Sequence, residues 1–233
     1  MELTTTSPAR ESDPRDRKRF YFQATRLRRF IVAAARPVFA LFMDLRITGL
    51  ENFPSDGAVI VACNHVTNFD VFPMQLSLPR PIFYMGKAEL FKNPVTDVLF
   101  RNLGAFPVSR EKKDPWAYNH ALKVIAHGQT LGMFPEGTRS QGRGLGVAKT
   151  GVARLAIETN TPIIPMTLTG SDKFFTHFPR RTRVTVGLLP PILSHPAETP
   201  LALTDRLMFA LAAALPAEMR GVYAEMPKGF NFQ

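Results

Sequence analysis

Short apolar runs and longer amphipathic stretches alternate along most of this chain, from about Arg46 onward. Apolar runs bounded by turn residues predict strands at 45–50, 58–63, 82–85, 106–109, 131–134, 163–169 and 184–189. The spacing between them predicts helices at 115–127, 149–159 and 203–215. The first is well punctuated: Asp114 can cap it, Pro115 suits its first turn and Gly128 can end it. Thr204 or Asp205 stands near the start of the last. Strands alternating with helices imply an α/β fold, a largely parallel sheet flanked by helices. In such sheets chemistry gathers in loops leaving the carboxyl ends of strands. "NHVTNFD" (64–70) and "FPEGTRS" (134–140) both occupy that position.

The first part of the chain departs from this rhythm. Residues 1–16 are polar, carry Pro8 and Pro14, and read as a flexible tail rather than a secretory signal. Residues 17–44 are basic and then strongly apolar. The apolar part, 30–43, is shorter than the roughly 20 residues a spanning helix needs. Pro37 should break it, giving two helical pieces. Arg and Lys beside an apolar helix point to one lying in the interface of an anionic membrane surface. Packing against the domain's own core is the alternative. The expected organisation is a tail over 1–16, interfacial helices over 17–44 and a catalytic domain over 45–233.

Length and charge narrow the partners. The 233 residues suit one domain with a short appendage, and an apolar content of 45% excludes a disordered chain. The net charge of +10 favours an anionic partner: lipid, phosphorylated substrate or nucleic acid. No nucleic-acid recognition motif accompanies the charge, so nucleic acid is not expected. Cys63 is the one cysteine and lies in a run that reads as buried core, so neither an internal disulfide nor a cysteine nucleophile is expected.

The histidine and aspartate of "NHVTNFD" would stand about 140° apart on a continuous helix and could not cooperate there. At a strand-to-helix turn they can. With His65 at the strand end and Asp70 in the first helical turn, the carboxylate can take one ring N–H, leaving the other nitrogen as a general base. Asn68 would cap that helix. No G-x-S-x-G elbow accompanies the pair, so the hydroxyl to be activated belongs to a substrate. Gly137 gives "FPEGTRS" a turn whose N–H groups can converge on an anion, and Arg139 offers a planar fork for phosphate. Glu136 can pair with Arg139 or take a substrate hydroxyl. Lys87 and Arg110 end strands of their own, and with Arg139 and Lys149 they could surround a phosphate. The stretch 171–183 mixes aromatics with cations and could touch lipid headgroups. His120 and His127 lack companions at ligand spacing, so no metal is expected.

Taken in order, "NHVTNFD", "KAELF", "GAFPVSR", "FPEGTRS" and "TPIIPMTLTG" resemble the glycerolipid acyltransferase family, most closely its lysophosphatidic acid (1-acyl-sn-glycerol-3-phosphate) acyltransferases. The resemblance runs from about Arg46 to Leu193. It implies an α/β sandwich with His65 as general base and Asp70 as its orienting partner. It implies that Lys87, Arg110, Glu136, Gly137, Thr138 and Arg139 bind the acceptor and its phosphate. Pro162 and Pro165 fall in a block that shapes the acyl-donor side. Ser109 stands where an acidic residue is common. The implied reaction moves an acyl group from acyl-CoA or acyl-carrier protein to the sn-2 hydroxyl of 1-acyl-sn-glycerol 3-phosphate, giving phosphatidic acid. It needs no cofactor and takes place at the cytoplasmic face of a membrane, on a peripheral or monotopic enzyme. Another lyso-lipid or glycerol 3-phosphate is an alternative acceptor. A non-catalytic lipid-binding protein is the alternative of another class.

Overall fold

The computed structural model describes residues 13–109, 113–173, 179–227 and 229–230. Seven strands form one sheet: β1 (Met43–Thr48), β2 (Val59–Cys63), β3 (Ile82–Lys87), β4 (Ala105–Val108), β5 (Thr130–Met133), β6 (Ile163–Thr169) and β7 (Thr182–Leu188). Their order is β1-β7-β6-β2-β5-β3-β4. Only the β6–β7 pair is antiparallel. The parallel core β6-β2-β5-β3-β4 therefore presents five carboxyl ends along one edge. The amino end of β1 reaches the same edge, because Met43 pairs with Thr182 and β7 runs against β6.

All seven predicted strands are present, with ends shifted by a residue or two. The central β2 and β6 were legible because strands buried on both faces read as apolar runs. In β2, Val59, Val61 and Cys63 point to one side and Ile60 and Ala62 to the other, all fully buried. One face packs against α4 (Pro115–Ala126), α5 (Gly151–Thr159) and α6 (Pro200–Ala214) through residues such as Val124, Leu155 and Leu207. The other packs against α1 (Arg26–Phe42) and α2 (Val71–Ser77) through Val32, Phe39, Phe42 and Met74. A further helix, α3 (Pro94–Asn102), leads into β4. Asp114 caps α4 as expected, accepting from the Ala117 amide. The last helix starts earlier than predicted, with Thr199 as its cap and Pro200 in its first turn.

Three expectations for the amino-terminal region are corrected. Residues 1–12 lie outside the described residues, but Pro14–Arg17, all but Arg17 expected in the flexible tail, form a 3-10 helix tied to the domain. Arg15 makes a bidentate pair with Asp114, and Trp116 Nε1 donates to Asp16. Next, α1 is one continuous helix through Pro37 rather than two pieces. Pro37 removes the bond to the Ala33 carbonyl, but both residues lie on the exposed side, where water can take that carbonyl. Finally, Arg28, one of the basic residues read as facing a membrane surface, does not reach the surface. It is buried, stacks over Phe83, and donates to Gln75 and to the Ile82 carbonyl, pinning α1 to α2 and β3. The expected domain boundary at 44/45 falls inside β1.

Candidate active site

The loop leaving β2 is built around one carboxylate. Asp70 occupies the N-cap position of α2 but makes no cap bond; it turns back over the loop. Its Oδ2 lies 2.8 Å from His65 Nδ1 and accepts from the amides of Val66 at 2.7 Å and Thr67 at 2.9 Å. Its Oδ1 accepts from the Thr67 hydroxyl at 3.1 Å. Asp70 is fully buried, so its charge needs these donors. A carboxylate facing Nδ1 requires the proton on Nδ1 and leaves the Nε2 lone pair free to act as a base. The His65 ring stacks on Phe134, centroids 3.8 Å apart and planes 14° apart, which fixes its tilt. The amides of Val66 and Thr67 are occupied by Asp70. Asn68, expected to cap α2, instead accepts from Arg139 Nη1 at 2.8 Å.

The loop leaving β5 closes over this one. The buried Glu136 uses both oxygens on main-chain donors: Oε1 takes the His65 amide at 2.9 Å and Oε2 the Gly146 amide at 2.8 Å. It does not pair with Arg139, one of the two expectations for it. The Ser140 amide donates to the His65 carbonyl at 2.7 Å. Burial raises the Glu136 carboxyl above its ordinary range, and the bonds from Gly146 and His65 only partly offset that. Gly137 has φ +68°, and a β-carbon there would meet the Lys149 side chain, its Nζ 3.3 Å away. Lys149 thus lies over the turn. Thr138 and Arg139 are exposed beside it. With Ser140, Arg143, Gly144 and Gly146 they line a cavity of about 280 Å³ whose far wall is Gly221 and Val222.

The remaining predicted positions are spread more widely. Lys87 ends β3, two strands from β2, is exposed and lies 3.5 Å from Glu89. Arg110 lies outside the described residues, as do residues 174–178 of the aromatic and basic stretch. Cys63 is fully buried, and burial pushes its thiol well above its usual range, which removes it as a nucleophile. Among the described residues no three His, Cys, Asp or Glu side chains gather as metal ligands, and no helix is long and apolar enough to cross a membrane.

Sequence reasoning missed two contributors and named a third only as part of a loop. Asn64 exchanges two hydrogen bonds with Leu168 of β6, fixing the exit of β2 just before His65. Phe134 supplies the stacking surface. Arg143, within the glycine-rich basic run 139–149 that reads as an anion-binding loop or a solvated one, joins Arg139 at the cavity. Of the two missed, Asn64, a polar residue abutting a buried strand, left a local signal and Phe134 did not.

The chain is similar in sequence and fold to known proteins. A 1-acyl-sn-glycerol-3-phosphate acyltransferase of Borreliella burgdorferi is 32% identical over 131 residues, 55% of this chain and 52% of that protein. The enzyme of that name from Bacillus subtilis is 31% identical over 144 residues, covering 61% of this chain and 71% of its own. The one from Escherichia coli is 33% identical over 162 residues, 67% of this chain and 64% of its own. The chain thus spans about half of the Borreliella protein and about two thirds of the other two. The crystal structure of the 1-acyl-sn-glycerophosphate (LPA) acyltransferase PlsC from Thermotoga maritima superposes with a TM-score of 0.65 at 23% identity, covering 81% of this chain and 78% of that one, and shares its fold. The family model described as Acyltransferase matches residues 44–169, from β1 to the end of β6 and through both loops of the site. With more than half its length inside that match, the chain belongs to the acyltransferase family.

Proposed function

We propose that the protein is an O-acyltransferase that moves a fatty acyl group from a thioester to the sn-2 hydroxyl of 1-acyl-sn-glycerol 3-phosphate, giving phosphatidic acid. The observation that carries this reading is the buried His65–Asp70 pair at the carboxyl edge of the sheet, 2.8 Å apart, facing a loop that carries Arg139. The names of the relatives support the choice of acceptor.

In the proposed reaction His65 Nε2 takes the proton of the acceptor hydroxyl as its oxygen attacks the thioester carbonyl. A C–O bond forms, the tetrahedral oxyanion collapses, and the C–S bond breaks. His65 returns its proton to the departing thiolate. Asp70 holds the ring and stabilises the imidazolium formed between the two transfers. Arg139, with Lys87 and Arg110, would neutralise the acceptor's phosphate, and Gly137 and Thr138 shape the turn that presents Arg139. The donor is acyl-CoA or acyl-carrier protein, and no further cofactor is required.

A membrane surface belongs to the same reading. The inner side of α1 packs on the sheet, while Leu27, Phe30, Val38 and Leu41 are exposed along its outer side, Phe30 at 71%. A helix apolar on both sides needs a second apolar medium. Arg26, Arg29 and Arg36 stand on the same helix and suit anionic headgroups. We place the protein at the cytoplasmic face of a membrane, peripheral or monotopic.

The test is an assay of purified protein with lysophosphatidic acid and a labelled acyl-CoA or acyl-carrier protein, beside His65→Ala. The expected result is phosphatidic acid from the parent and a loss of about 10²–10⁴-fold in a folded variant. Equal turnover by His65→Ala would overturn the mechanism. No product with either donor would overturn the assignment of acceptor.

A further inference from the structure

We propose that Glu136 is a positioning residue that holds the main chain of His65, rather than a group that binds the acceptor. The inference rests on the acyl-transfer reading for its kinetic consequence, but the clamp itself is a matter of geometry. The carboxylate sits between two loops that share no sequence proximity. One oxygen takes the amide of the residue bearing the base, and the other takes the Gly146 amide on the far limb of the β5 loop. The His65 carbonyl is held from the same loop, by the Ser140 amide. His65 is thus gripped at its N–H and its C=O by one loop, while Asp70 grips its ring.

That far limb is itself anchored. The Leu145 amide donates to the Met219 carbonyl, and the Leu145 carbonyl accepts from Val222. Gly144 at φ +79° and Gly221 at φ +53° meet at this seam, where a β-carbon on Gly221 would lie 2.1 Å from the Leu145 carbonyl oxygen. The seam runs from the segment after α6 through Leu145 and Gly146 to Glu136 and ends at His65. Glu136 is the link that carries the rigidity of the domain to the base. A buried carboxylate keeping its charge against desolvation is expected to be held by hydrogen bonds, and backbone N–H groups are strong donors to it. An acceptor hydroxyl would have to compete with both.

The experiment uses the full chain with Glu136→Gln and Glu136→Asp. In Glu136→Gln one amide oxygen can still accept, but the NH₂ group faces a second N–H donor. In Glu136→Asp the charge stays and the arm is one methylene short. The expected kinetic result is a fall in kcat of about 10²-fold, the size of effect that a misplacement of about 1 Å produces, with KM for lysophosphatidic acid changed less than about twofold. A raised KM at normal kcat would make Glu136 an acceptor-binding group and overturn the inference, as would two unchanged constants. Hydrogen exchange supplies a readout independent of turnover. The His65 and Gly146 amides should be protected in the parent, and at least one should exchange about tenfold faster in a variant of unchanged melting temperature. Unchanged protection at both would overturn the clamp. If Glu136→Gln does not fold, Glu136→Asp carries both measurements. A parent inactive with either donor would overturn the proposed reaction and not the clamp, which the exchange data still decide.

Discussion

Asp70 Oδ2 faces three donors at once, His65 Nδ1 and the amides of Val66 and Thr67, in a place from which water is excluded. Asp70→Asn tests what that arrangement is worth. An amide keeps the shape, but its one oxygen cannot serve all four donors around the carboxylate, the Thr67 hydroxyl included, and its NH₂ adds another. With the amide oxygen in the place of Oδ2 the NH₂ meets the Thr67 hydroxyl; with the amide reversed the NH₂ faces His65 Nδ1 and two amide N–H groups, which favours the wrong tautomer with its proton on Nε2. The expected outcome is a loss of kcat of about 10²–10⁴-fold. A stability loss of about 1–3 kcal/mol from buried donors left unserved should appear in denaturant unfolding. Full activity would show that ring orientation comes from Phe134 alone. At this scale the sequence was legible where partners are close along the chain. His65 and Asp70 are five residues apart, and a strand-to-helix turn is enough to bring them together. The partners of Glu136 were not legible, because the His65 amide reaches it only through the lateral order of β2 and β5. Asn68 misled for a related reason: it has the chemistry of a cap, but the arginine across the cleft competes for its oxygen.

Elements were read correctly where burial dictates pattern and misread where one tertiary contact overrides it. Pro37 argued for a break in α1, yet Arg28 at one end and Phe39 and Phe42 at the other hold the helix against α2 and the sheet. The segment before α1 is another case. Its residues up to 16 suggested a free tail, but Arg15 finds Asp114; beyond them Lys18 finds Asp97, Phe22 stacks on His120 and Phe20 meets the same ring edge-on. His120 is further enclosed by Phe106 and Trp116. Burial in this aromatic nest, helped by Lys123, lowers its pKa to about 4, with Asp16 opposing and Arg15 assisting. The unfolded chain, near 6.5, therefore binds more protons than the folded one as pH falls toward 4. Stability is fully present above about 6.5 and declines through that window. The melting temperature should drop between pH 7 and pH 5, and His120→Phe should flatten the drop. Below that, Asp97 and Asp114 add to the loss. Burial pulls both upward, but Lys18 with Arg101, and Arg15 with two amides, hold them below the ordinary carboxylate value. An identical slope in His120→Phe would place the sensitivity outside this nest.

For the molecule as a whole, strand order decides which surfaces face what. The β1 strand runs against the parallel core, so the end of α1 enters the sheet at the same edge as His65. On the sheet-facing side of α1, Phe39 packs on Phe72, which neighbours Phe69, and both Phe69 and Phe72 are partly exposed beside the site. The arginine-lined cavity opens past Glu136 toward Gly221, on the side of α6. The site thus stands between an apolar surface and a cationic one, as suits an acceptor with a buried tail and a charged head. On the proposed membrane reading, the net charge of +10 adds a long-range pull toward anionic lipid. These two contributions separate in a vesicle sedimentation assay on phosphatidylglycerol-containing liposomes. Raising salt from about 0.1 M to about 1 M shortens screening from about 10 Å to about 3 Å and should weaken binding of the parent without abolishing it. Phe30→Glu and Leu41→Glu remove apolar contacts, each worth about 1.5–3 kcal/mol if fully buried, and place a like charge against the lipid. Each should weaken binding at least about tenfold at every salt concentration, while turnover of a detergent-dispersed acceptor stays near the parent value. Binding that salt abolishes and the glutamates leave untouched would mean that charge alone holds the protein to lipid. The outer side of α1 would then have to be covered by something other than a bilayer.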